Sequence, residues 1–129
     1  MKQVYTGALP RLPRNRPALG DLQTWLGSLP LYSFTEYQEV AAYLKKHRFL
    51  IPILTEAYPV IQRFFGPDAP VRIEVSTDPE EGYQELVAWI QIDLSPEKAV
   101  DALNRFDWDW WLDRSAAADC KLCFDVEYQ

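Results

Sequence analysis

Apolar positions along this chain switch between two periods, and the switches mark its elements. Leu22, Trp25, Leu26 and Leu29 fall at i, i+3, i+4 and i+7. This is one face of a short helix over 22–27, with Asp21 as N-cap and Gly27 as stop. So short a helix is marginal alone, and its Trp25 face must dock on the body of the chain, on a neighbouring chain or on another protein. Ser33 with Glu36, and Thr35 with Gln38, have capping-box spacing, which starts a helix near Glu36. Its stripe is Tyr37, Val40, Ala41 and Leu44, and the run Lys45 to Arg48 closes it with charge suited to a helix C-terminus. A further helix runs from about Pro52 through Ile53, Leu54, Ala57, Ile61, Phe64 and Phe65 to a stop at Gly66-Pro67. Pro59 inside it is expected to kink or split it.

The period then drops to two. Val71, Ile73 and Val75 alternate with Arg72, Glu74 and Ser76, a half-buried strand. Asp78 to Gly82 is a turn. Leu86 to Ile92 is apolar on both faces, as expected of a central strand, and the two strands form a hairpin. Ser95 caps the next helix and Pro96 takes its first turn. Ala99, Val100, Leu103 and Phe106 form its stripe, extended by Trp110, with a break near Asp107. Ser115 to Asp119 reads as a small-residue loop, and Leu122, Phe124, Val126 and Tyr128 as the inward residues of a last strand. The pattern predicts an α+β fold: two N-terminal helices, a β-hairpin, a covering helix with a Trp-rich end, and a C-terminal strand in a small, mostly antiparallel sheet.

Composition divides this chain of 129 residues in two. Residues 1–34, rich in proline, carry a net charge of +3, and residues 35–129 carry −9. A basic arm therefore precedes a single acidic α+β domain, and the arm can lie against the body or stay solvated. The overall charge of −6 argues against tracking nucleic-acid phosphates directly or binding an anionic membrane surface. No apolar run approaches a membrane span, and MKQVYTGALPRLPRNRP lacks the apolar core of a secretory signal. With only two cysteines besides, reduced thiols and a cytoplasmic home are expected.

The run EKAVDALNRFDWDWWLD followed by KLCFDVEYQ resembles a pattern of small uncharacterised bacterial α+β proteins. It consists of an FDxxWWLD segment and a closing KLCxxVEY strand. The resemblance covers residues 36–129, not the arm. It implies no catalytic motif, and it implies an antitoxin-like or immunity-like setting, because some such proteins are encoded beside toxin-like partners.

Candidate chemistry is sparse. Nucleotide-binding, catalytic-triad and zinc-protease motifs are absent from the sequence. Cys120-x-x-Cys123 enters a terminal strand rather than a helix N-terminus, so it reads as structural rather than redox-active. His47 reads as a helix-terminus residue, not a base. No cofactor and no metal site is expected, since a zinc site needs about four ligands. The acids around Glu80 and Glu81 read first as a solvated hairpin turn. The segment with Trp108, Trp110 and Trp111 among Asp107, Asp109 and Asp113 is the richest. On an α-helix Trp108 and Trp111 share one side and Trp110 faces away, so at least one ring is exposed or lies under the arm. These six residues, with Trp89, Glu80 and Glu81, form the candidate binding set, either as anchors for a protein partner or as a core anchor. The expected function is a non-enzymatic, acidic interaction module for a basic protein partner. The alternatives are a small-molecule or enzymatic site that stacks ligands on tryptophan, and a homo-oligomer whose arms are exchanged.

Overall fold

The computed structural model describes residues 19–129, so the expectation for the arm before them lies outside the described residues. The order is α1 (Leu19–Gly27), β1 (Tyr32–Phe34), α2 (Tyr37–Lys46), α3 (Leu50–Phe65), β2 (Val71–Thr77), β3 (Gln84–Ile92), α4 (Pro96–Phe106), a π-helical turn (Asp107–Trp111), α5 (Leu112–Ala118) and β4 (Leu122–Tyr128). The fold is α+β, but the sheet is mixed rather than mostly antiparallel. Its strands run β1-β2-β3-β4, with β1 parallel to β2, β2 antiparallel to β3, and β3 parallel to β4. The predicted hairpin is thus flanked on each side by a parallel strand reached through a helical crossover.

The helices start close to the expected positions, but α1 and α2 lack the expected caps. Asp21 lies in the first turn of α1 and not at its cap. Glu36 precedes α2 in the left-handed region at φ 55°, and no side chain caps that helix. Neither expected capping box forms, because its first residue belongs to or follows a strand. Ser33 belongs to β1, and Thr35 accepts a hydrogen bond from Arg72 at 3.2 Å while its backbone N–H reaches the Ile73 carbonyl. Ser95 does cap α4, accepting from the Lys98 N–H. In α3, Pro52 falls in the first turn, where its missing donor has no helical acceptor anyway. Pro59 does not split α3, which continues to Gly66 at φ 116°.

The helices and one face of the sheet share a single core. Phe106, Leu44, Leu50, Leu54, Ile61, Ile73, Leu86 and Ile90 are among its fully buried members, and Leu22 brings α1 into it. Trp25 docks on α3, its indole N–H donating to the Thr55 hydroxyl at 2.8 Å. The other face of the sheet carries the opposite phase of each strand. Arg72, Trp89 and Asp125 are in register across it, as are Glu74, Val87 and Cys123. Among the described residues Val87 is the one buried apolar side chain outside the helix-side core.

Candidate functional site

The Trp-rich segment is shaped by its π turn. The Leu112 N–H reaches back to the Asp107 carbonyl, five residues away, which inserts one residue into the helix and shifts the phase of α5 relative to α4. The α-helical expectation that Trp108 and Trp111 share a side is therefore overturned. Trp110 and Trp111 go inward together, with their rings 6.0 and 4.8 Å from that of Phe124. Trp110 also packs 5.4 Å from Phe106. Trp108 is left outside, 75% exposed, the most exposed large apolar side chain among the described residues. Leu112, four residues on, and Val100, two turns earlier, are also exposed. Val100 was expected in the α4 stripe, but that stripe is Ala99, Ala102 and Phe106. Ser115 to Ala118 form helix, not the expected loop, consistent with the high helix propensity of alanine.

Asp109 and Asp113 stand exposed beside Trp108 in sequence, while Asp107 is half-buried. Burial, reinforced by Asp125, raises the Asp107 carboxyl above its ordinary value. A bidentate pair from Arg114 to Glu56, at 2.6 and 2.9 Å, ties α5 to α3. That bonding holds the Glu56 carboxyl below the usual range. The Trp110 indole also contributes to the lowering, although its nitrogen makes no hydrogen bond of normal geometry.

The rest of the candidate set is not gathered here. Trp110 is core rather than binding surface. Glu80 and Glu81 sit at the hairpin tip, their backbone N–H groups donating to the Asp78 carboxylate at 2.8 and 3.0 Å. Trp89 lies on the open face of the sheet in a network the sequence pattern did not reveal. Arg72 donates to Glu127 through two nitrogens at 3.2 and 2.8 Å, and to Glu74 at 2.7 Å. The Trp89 indole donates to the second oxygen of Glu74, and the Arg72 guanidinium stands 5.9 Å from the Trp89 ring. Burial alone would raise the Glu74 carboxyl, but its bonds from Arg72 and Trp89 leave it below the usual range. The polar phase of three strands, Arg72 and Glu74, then Trp89, then Asp125 and Glu127, was the available signal.

The two cysteines are free thiols in different settings. Cys120 is exposed at φ 61° ahead of β4, its carbonyl accepting from the Tyr83 hydroxyl, and Cys123 lies within β4. Burial, aided by Glu85 and Asp125, pushes the Cys123 thiol up to about 12. Burial, with Lys121 and Lys46, pushes the His47 imidazole below its ordinary value, and Lys45 and Lys46 stand in the last turn of α2, where positive charge suits the helix dipole. Among the described residues no group of three or more His, Cys, Asp or Glu is arranged to hold a metal ion, and no helix is long and apolar enough to cross a membrane. Two shallow hollows, of about 260 and 240 Å³, are lined by no tryptophan. No known protein family, curated protein or solved structure matches the chain.

Proposed function

We propose that this protein is a non-enzymatic interaction module of the cytoplasm that captures a basic protein partner through the π-turn surface. One observation carries the reading: Trp108 is 75% exposed at a turn whose neighbouring rings, Trp110 and Trp111, are packed into the core. A tryptophan on such a mount loses little conformational freedom when it inserts into a partner, and this residue type dominates binding hot spots. Leu112 and Val100 are further exposed apolar side chains of the same helical run, and Asp109 and Asp113 supply charge of the sign that steers a basic partner. An antitoxin-like or immunity-like role is supported by the sequence resemblance and by that sign.

The test is affinity capture from the native organism with the full chain, beside Trp108→Ala and Asp109→Asn/Asp113→Asn, with retained proteins identified by mass spectrometry. A basic protein retained by the native chain and lost with Trp108→Ala is expected. Recovery of the protein alone, or of partners held equally by all three baits, overturns the reading.

A further inference from the structure

Nine lysines and arginines fall among the described residues, and three of them, Arg72, Arg105 and Arg114, form ion pairs. Four of the others gather at one corner of the molecule. Lys45 and Lys46 end α2, Arg48 lies in the link to α3, and Lys121 comes from the turn ahead of β4. Tyr43 ties these segments together, its hydroxyl shared between the Gln84 and Lys121 carbonyls at 3.3 and 3.4 Å. Its ring lies 4.5 Å from the His47 imidazole, which meets the Phe49 ring edge-on at 6.0 Å. Lys45, Lys46 and Phe49 are exposed, and His47 and Lys121 are half-buried. The imidazole registers the cations around it. Burial is the largest cause of its lowered value, Lys121 and Lys46 come next, and Asp119 is a weaker charge of opposite sign.

We infer that Lys46, His47 and Lys121 form a binding site for a terminal phosphate group, with the Phe49 ring beside it. Like charges brought together without counter-charges repel one another. Acids are not scarce in this chain, since residues 35–129 carry a net charge of −9. Yet Lys45, Lys46, Arg48 and Lys121 form no ion pair among the described residues. A ligand of opposite charge supplies what the chain withholds. A phosphate monoester carries about −1.5 to −2 charge on three terminal oxygens. Two ammonium groups and an imidazolium match it in charge and in donors, whereas a carboxylate brings one charge and two oxygens. The anion also favours the protonated ring, so His47, kept neutral by its surroundings in the free protein, becomes a donor when the ligand arrives. Glu85 and Asp119 flank the corner, and they repel an extended polyanion more than a single compact one.

The test uses the full chain and NMR of the imidazole, which is unambiguous because His47 is the one histidine. Sodium phosphate is titrated against sodium chloride at matched ionic strength. Phosphate is expected to shift the His47 signals saturably and to raise the imidazole pKa, and chloride to do neither. Lys46→Gln and Lys121→Gln each remove one charge and should each weaken phosphate binding about tenfold, the worth of one charge-assisted hydrogen bond. Both side chains reach solvent, so neither change endangers the fold. Blocked O-phosphoserine binding more tightly than inorganic phosphate assigns the site to a phosphorylated protein, and equal or weaker binding assigns it to free phosphate. An equal response to chloride or acetate, an unchanged affinity in both variants, or tighter binding of a single-stranded oligothymidylate overturns the proposal. So does a doubled mass at low salt that either variant returns to the monomer, which places a second copy's carboxylates at the corner. Trp108→Ala leaves the phosphate response in place, so this outcome is separable from that of the partner capture.

Discussion

The two crossovers of this fold each contain a helix with an irregular feature, a proline in one and a π turn in the other, and the two have different consequences. Between β1 and β2, α3 accommodates Pro59, which removes one backbone donor. Nothing is inserted, the phase of the helix is kept, and Ala57, Ile61 and Phe65 stay on one buried side. Between β3 and β4 the π turn inserts a residue, and the phase changes. Trp110 joins Phe106 in the core while Trp108 is turned outward. A lost hydrogen bond costs energy and leaves the surface unchanged. An added residue re-aims side chains, and the ring it presents, Trp108, is more exposed than Phe49, the large ring that the first crossover leaves at the surface ahead of α3.

The sharpest way to break this contrast is Trp110→Ala. It empties the side of the core that fixes the π turn and should cost about 3–5 kcal/mol, read as a fall in the chemical-denaturation midpoint. Pro59→Ala should act in the opposite direction. Restoring the donor in an exposed helix position regains most of the ~3 kcal/mol proline penalty, less the ~0.4–1 kcal/mol advantage of a stiffer unfolded chain. A gain of about 1–2 kcal/mol is expected, and a loss would mean that α3 depends on its proline.

Smaller still is Asp107→Asn. The folded state raises this carboxyl, chiefly by burial, so the ionised form is a liability at neutral pH that protonation relieves as pH falls through the raised value. The variant should be stabilised at pH 7 by no more than about 1 kcal/mol, given partial solvent screening, and its advantage should vanish in acid. Glu56 and Glu74 have the opposite sign: their depressed values supply stability that is present above the ordinary carboxyl range and lost as pH falls through the folded value. Least affected should be Trp108→Ala, within about 0.5 kcal/mol of the native protein in stability. A loss comparable to that of Trp110→Ala would make Trp108 a structural residue and remove the contrast.

Local chemistry made part of this legible in advance. The hairpin, the Gly66 stop and the Ser95 cap each rest on a few adjacent residues, and each was found where the pattern placed it, while the inward phase of β4 holds at Leu122 and Phe124 but not at Tyr128, which is exposed. What was missed depends on distant partners. The direction of β4 is set by the helix pair that delivers it, so alternation in Leu122–Tyr128 could not distinguish parallel from antiparallel. The hydroxyls of Ser33 and Thr35 imitated capping boxes because β1, only three residues long, is defined by pairing with Val71–Ile73 and not by its own sequence. In the candidate site Trp108 was legible as a surface ring only up to a helical phase, and a π turn changes that phase. The Arg72 network was hidden because its members come from three strands.

The mixed sheet also implies an order of events. Thr77 meets Gln84 across a short turn, whereas Leu86 must find Leu122 about 36 residues on, and Tyr32 must find Val71 about 39 residues on. Closing the longer loops costs about 1.5 kcal/mol more in chain entropy, and they wait on their helices. The hairpin is therefore expected to nucleate, with hydrogen-exchange labelling during refolding showing protection at Val71–Ile92 before Leu122–Tyr128. Until β4 arrives, β3 is an unprotected edge, so slow refolding at high concentration carries a risk of intermolecular pairing through a strand that ends up in the interior of the sheet.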